Sequence, residues 1–170
     1  GCDPLERMME IPLRYGCNPH QKPASLELPG SSPLRVLNGQ PGYINILDAL
    51  GAWQLARELK MSTGVSGAAS FKHTSPAGAA IARPLSDPFR ISQFLPDEDL
   101  SPAAQAYVRA RGGDRMSSYG DVVGVSDTVD VSLARVLRRE VSEVIAPGYE
   151  PEALEILKGK RGGAYLVLEI

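Results

Sequence analysis

Val122-Val123-Gly124-Val125 is apolar without interruption. A strand with one wet face alternates apolar and polar residues, so a run like this requires cover on both faces. Its surroundings supply that cover. Downstream, Asp130 can cap a helix over Val131 to Glu140, with Val131, Leu133, Val136 and Leu137 on its apolar side. A strand follows at Val144-Ile145-Ala146, then a turn at Pro147-Gly148-Tyr149 and a helix from Pro151 through Lys158. Gly159 to Gly163 releases the chain into a last strand, Tyr165-Leu166-Val167-Leu168.

Upstream the pattern is similar. Ile11 to Gln21 reads as an extended entry followed by a Gly and an Asn-Pro turn, which sets Arg14 and Tyr15 at a bend, and Pro29 to Pro33 is a loop. Leu34-Arg35-Val36-Leu37 is a strand. After the turn signal Asn38 to Gly42, a helix spans Tyr43 to Lys60, with Ile46, Leu47, Leu50, Trp53, Leu55 and Leu59 near helical spacing. Ala68 to Phe71 is a strand. Prolines at 84, 88 and 96 make 83–100 an irregular excursion, and Ser101-Pro102 opens a helix over Ala103 to Arg111 that Gly112-Gly113 closes. Strand and helix therefore alternate from residue 34 onward, which predicts an α/β layered sheet with helices on both faces.

A chain of 170 residues is one ordinary domain by length and can bury a real core without a metal or disulfide staple. With 43% hydrophobic and 22% charged residues and a net charge of -2, it has neither the profile of a disordered tail nor that of a nucleic-acid arm. An anionic ligand must then be held by local positive groups. Cys2 and Cys17 encode neither a disulfide framework nor a four-ligand zinc site, so a reduced, cytoplasmic setting and no metal are expected. No apolar stretch approaches the roughly 20 residues of a membrane span, and the N-terminus lacks signal-peptide order, so no membrane partner is expected.

The chemistry-bearing stretch is Ala68 to Gly78, where a short apolar strand delivers Lys72 and His73 to a sheet rim and the chain turns at Ser75-Pro76. Ligands gather at the carboxyl ends of strands in open α/β sheets. The pair is either a solvated lysine beside a strand-capping histidine, or an acyl-transfer pair. In the second case the imidazole takes a proton from an attacking amine and the ammonium faces developing negative charge. Both side chains can serve one ligand only if the strand ends there, because adjacent strand residues face opposite ways. Arg14 with Tyr15 is either a surface arginine on a ring or an anion site with a planar fork of donors. Gly78 and Gly120 are turn glycines or points of close ligand approach. His20 reads as structural, and Asp97, Glu98 and Asp99 as a solvated loop. Neither GxGxxG nor a Walker pattern is present.

Four ordered blocks then carry a resemblance. Arg14-Tyr15-Gly16-x-Asn18-Pro19-His20-Gln21, Leu37-Asn38-Gly39-x-Pro41-Gly42-Tyr43-Ile44-Asn45, Phe71-Lys72-His73-x-Ser75-Pro76-Ala77-Gly78 and Arg109 to Asp121 resemble the AICAR transformylase domain of the bifunctional AICAR transformylase/IMP cyclohydrolase family. Arg139 to Ser142 and Ile145 to Glu150 match as well. The resemblance implies a cytidine deaminase-like three-layer α/β/α fold, without its zinc because His-x-Glu and Pro-Cys-x-x-Cys are absent. It implies formyl transfer from 10-formyltetrahydrofolate to the 5-amino group of AICAR, with His73 as the base and Lys72 stabilising charge on the formyl oxygen or helping the folate nitrogen leave. It places Arg14, Tyr15, Asn45, Gly120 and Glu143 at the nucleotide. The family usually has Asp-Gly where this chain has Glu143-Val144, and glutamate keeps the charge one methylene further out. Residues 1–170 correspond to the first transformylase subdomain; the cyclohydrolase domain, and the second subdomain with its folate contacts, are not expected in them. A homodimer is implied for the full-length enzyme. The alternative is a noncatalytic purine-nucleotide-binding or dimerisation module, and cyclohydrolase chemistry ranks below both because its domain is not expected here.

Overall fold

The computed structural model describes residues 8–16, 18, 20–29, 32–92, 99–112, 120–140 and 142–170. Cys2, Cys17, Pro19, Asp97, Glu98 and most of the Arg109–Asp121 block lie outside them. Among the described residues, eight strands and five α-helices follow in order: β1 Met8–Leu13, β2 Ala24–Pro29, β3 Arg35–Asn38, α1 Tyr43–Thr63, β4 Gly67–Lys72, β5 Ser75–Ile81, α2 Asp87–Ser92, α3 Pro102–Gly112, β6 Val122–Val125, α4 Val131–Leu137, β7 Glu143–Ala146, α5 Pro151–Lys158 and β8 Val167–Glu169.

Six strands form one sheet in the order β3-β8-β7-β6-β4-β5, and β1 and β2 form a separate hairpin. β6, β7 and β8 are parallel, whereas β4 runs against β6, β5 against β4, and β3 against β8. The chain is thus α/β with a mixed sheet. One face packs α3, α4 and α5 over Ala68, Val123, Val125, Val144, Ala146 and Val167. The other packs α1 and the β1–β2 hairpin over Val122, Ile145, Leu166 and Leu168. This confirms that Val122–Val125 is covered on both sides, and each fully buried valine there contributes about 1.5–3 kcal/mol.

Several local expectations are corrected. β2 was not anticipated, although Ala24, Leu26 and Leu28 alternate with Ser25 and Glu27 and pack on the core. Strand and helix do not alternate throughout, because β4 and β5 form a hairpin with no helix between them. The segment 83–100 is not wholly irregular; Asp87–Ser92 is helical, with Ser86 Oγ accepting from the Phe89 N–H at 3.4 Å. α1 buries Ile46 and a stripe of small residues, Ala49, Ala52 and Ala56, whereas Leu47 and Leu50 remain 38% and 39% exposed. The reason lies beneath it. A Cβ on Gly124 of β6 would come within 2.4 Å of the Ala52 carbonyl carbon, so helix and strand touch backbone to backbone. Gly78 likewise faces the Ala110 carbonyl oxygen of α3, where a Cβ would sit at 2.1 Å, so its freedom serves packing and not ligand approach. α4 stops at Leu137, three residues short of Glu140, and the Lys160 ammonium closes its end by donating to the carbonyls of Leu137, at 2.7 Å, and Glu140. The expected caps hold: Asp130 Oδ1 accepts from the Leu133 N–H at 2.9 Å, and Ser101 Oγ from the Ala104 N–H at 3.3 Å. No described helix is long and apolar enough to cross a membrane.

Candidate functional site

One rim of the sheet gathers the candidate residues. Because the sheet is mixed, this rim is the carboxyl end of β3 and β4 but the amino end of β5, β6, β7 and β8, so the carboxyl-end rule holds for only two of its strands. Val122 is in register with Phe71 on one side and Glu143 on the other. Two interstrand spacings therefore separate Phe71 from Glu143, about 10 Å.

The turn at this rim is not Ser75-Pro76, which begins β5. β4 ends at Lys72, and His73 and Thr74 alone make the turn, both with positive φ, at 52° and 62°. Hairpins favour this conformation, but Asn-Gly is its usual occupant, and a histidine and a threonine adopt it under strain. Asp48 holds it. This residue of α1 is 5% exposed and its Oδ1 accepts the Thr74 N–H at 2.7 Å. Burial pushes the Asp48 carboxyl above its usual range, while the bond to Thr74 and the nearby His73 pull it back. Lys72, His73, Ser75, Pro76 and Ala77 line one hollow of about 320 Å³, with His73 exposed and Lys72 half-buried. Lys72 and His73 thus share one cavity, as a strand end requires.

Behind Lys72 lies Asp121, completely buried. It accepts from the hydroxyls of Ser70 and Ser142, and the Tyr107 hydroxyl is 3.2 Å from Ser142 Oγ. Burial raises its carboxyl above the usual range; the two serine hydroxyls, and more weakly Lys72, oppose that shift.

The second cavity, about 430 Å³, is lined by Arg14, Gly39, Gln40, Glu143, Arg161 and Ala164. Its walls meet through Asn45. Asn45 Oδ1 accepts from Arg14 Nη2 at 2.6 Å and from the Gly42 N–H at 2.8 Å, and its Nδ2 donates to Glu143 Oε2 at 3.0 Å. The Gly42 N–H is the start of α1 and can only donate, which fixes the oxygen toward Arg14 and the amide nitrogen toward the carboxylate. Glu143 Oε1 stands 3.6 Å from Arg161 Nη1. Burial raises the Glu143 carboxyl, and Arg14 and then Arg161 oppose the shift. Tyr15 does not line this cavity; it packs beside Gly42, with the Arg14 guanidinium 5.8 Å from its ring centroid. Arg14 thus both lies over the Tyr15 ring and lines the cavity. Gly120 is exposed, with φ +77° and open space where a Cβ would be, directly before Asp121 at the entrance to β6. His20 is exposed, and its backbone N–H donates to Asn18 Oδ1 at 3.0 Å, a local turn.

Asp48, Asp121 and Arg161 were assigned no role from sequence. Asp48 sits within a helix whose period gave no reason to single it out, and Arg161 hides in the glycine-rich release after α5. Asp121 alone carried a signal, a lone acid between Gly120 and an apolar strand.

A family model described as AICARFT/IMPCHase bienzyme matches residues 5–170. The bifunctional purine biosynthesis protein PurH of Thermoanaerobacter sp. (strain X514) is 37% identical over 155 residues, covering 88% of this chain and 26% of the relative. The chain therefore spans about a quarter of the length of that curated relative.

Proposed function

We propose, from the premise that the chain belongs to the AICARFT/IMPCHase bienzyme family, that it carries the catalytic wall of an AICAR transformylase in purine biosynthesis. The reaction moves a formyl group from 10-formyltetrahydrofolate to the 5-amino group of AICAR. The observation that carries this reading is the shared hollow of Lys72 and His73, held by Asp48 beside the Arg14–Asn45–Glu143 cavity.

The amine attacks the formyl carbon, and His73 takes the proton that the nitrogen sheds as the C–N bond forms. Lys72 faces the oxygen on which negative charge collects, or gives its proton to the folate nitrogen as the old C–N bond breaks. Arg14 would hold the phosphate of AICAR, with Tyr15, Asn45, Gly120 and Glu143 around the nucleotide. The folate's main contacts are assigned by resemblance to a part of the family's domain beyond these residues. The cytidine deaminase-like type of the sheet, a cytoplasmic setting and a homodimer of the full-length enzyme belong to the same proposal.

Production of formyl-AICAR from AICAR and 10-formyltetrahydrofolate, with the chain and with His73→Ala, tests it. A turnover unmoved by the substitution sinks the catalytic assignment. A second reading is a noncatalytic nucleotide-binding or dimerisation module. AICAR binding without any turnover supports that one.

A further inference from the structure

Phe71 divides the rim. Its ring packs against Gly51 of α1, where an added Cβ would come within 2.5 Å of it, so Phe71 faces α1 and its neighbours Ser70 and Lys72 take the other face of β4. On that face the Ser70 hydroxyl donates to the buried Asp121, and the Lys72 charge acts on the Asp121 carboxyl. The α1 face carries an acid of its own. Asp48 lies one helical turn beyond Asn45, is 5% exposed, and receives the turn that holds His73, the Thr74 N–H donating to its Oδ1 at 2.7 Å. Burial raises this carboxyl; the Thr74 N–H, the His73 charge and the His73 backbone N–H, in that order, oppose the shift. Two backbone donors and a neighbouring cation all favour its ionised form. α1 is itself fixed, since it meets β6 backbone to backbone at Ala52 and Gly124. His73 needs such a neighbour. Once it takes a proton, two positive charges stand in one hollow of about 320 Å³, because Lys72 is the other charged residue of the lining, and like charges so close disfavour the second. The compensating charge has to come from beyond the lining.

We infer that Asp48 is the positioning residue of His73, a fixed carboxylate on α1 that orients the turn through its backbone N–H groups and balances the imidazolium formed when His73 takes the amine proton. This rests on the transformylase reading above for the source of that proton, and adds Asp48 to it. The proton stays on the imidazole; the carboxylate neither accepts it nor changes its own bonds. Each cation of the pair then has an acid on its own face of the sheet, Asp121 for Lys72 and Asp48 for His73.

Ethoxyformylation of the 170-residue chain by diethyl pyrocarbonate tests the inference, because the reagent attacks the neutral imidazole and the chain's two histidines, His20 and His73, are resolved by peptide mass. His20 is exposed and serves as the internal reference. The His73-to-His20 rate ratio is taken at pH 6 and at pH 8, on either side of the ordinary imidazole range. Asp48→Asn keeps an oxygen for the Thr74 N–H but removes the charge. It is expected to raise the ratio at pH 6 by about twofold or more, since the imidazole gives up its proton more readily, and to leave the ratio at pH 8 unchanged. Asp48→Glu, which keeps the charge, should return the pH 6 ratio toward the parent's. A turn that merely opens raises both ratios alike, so the pH 6 ratio divided by the pH 8 ratio reads the charge even in a loosened variant. A quotient for Asp48→Asn equal to or below the parent's overturns the inference, as does a quotient for Asp48→Glu no lower than that of Asp48→Asn. A raised quotient in a chain whose formylation is absent or indifferent to His73→Ala sustains the pairing of Asp48 with His73 and defeats the transformylase reading; His73-dependent formylation with an unmoved quotient does the reverse.

Discussion

Asn45 and Glu143 are 98 residues apart in sequence and 3.0 Å apart between Nδ2 and Oε2. The same amide caps α1 and receives Arg14, so one side chain joins a helix start, a cation and an anion. This ties the integrity of the second cavity to the stability of a helix, and the two effects can be separated.

Asn45→Ala removes the cap and both charged partners together, and is expected to cost about 2 kcal/mol in urea unfolding. Asn45→Asp keeps an acceptor for Gly42 and Arg14 but sets a second carboxylate against Glu143. It should retain most of the helix contribution while losing the bond to Glu143. Equal losses for the two variants would mean that the cap contributes nothing.

Asp48 holds a turn of two non-glycine residues at positive φ. Asp48→Ala is expected to cost about 2 kcal/mol, as a charged acceptor is taken from a part-buried N–H. It should also abolish the hydrogen-exchange protection of the Thr74 amide. Protection that persists in the variant would show that the hairpin holds itself.

Burial, chiefly, and then the neighbouring Arg161 lower the Lys160 ammonium from its ordinary 10.5 to about 8. Between those values the unfolded chain keeps a proton that the folded chain has released, so stability rises with pH across that window. Relative to Lys160→Met, the parent should gain on the order of 1 kcal/mol from pH 8 to 10.5, after allowing for screening of a half-exposed amine. Denaturant midpoints at both pH values measure it, and parallel profiles for parent and variant would count against the assignment.

Gly124→Ala forces a Cβ against the backbone of Ala52 and Trp53, neither of which can rotate away. The expected loss is about 3 kcal/mol, at the upper end of overpacking effects. Gly64→Ala meets nothing within 4 Å and carries only its positive φ, so it should lose about 1 kcal/mol. The ratio of the two, read from thermal unfolding, separates crowding from backbone conformation.

The local devices were legible in the chain. Unbroken apolar runs marked β6 and β7, Asp130 and Ser101 marked helix starts, and the ordered motif blocks marked Lys72, His73 and Arg14. These signals survive because capping, turn propensity and side-chain period act within a few residues. Tertiary structure decided the direction in which β4 meets β6, which puts opposite strand ends on one rim. It also decided that α1 presents alanines to Gly124, that Asp48 holds the His73–Thr74 turn, and that Arg161 lines the same cavity as Arg14. Each of these depends on strand register and close approach between distant segments, and packing and loop closure set those distances where no local pattern encodes them.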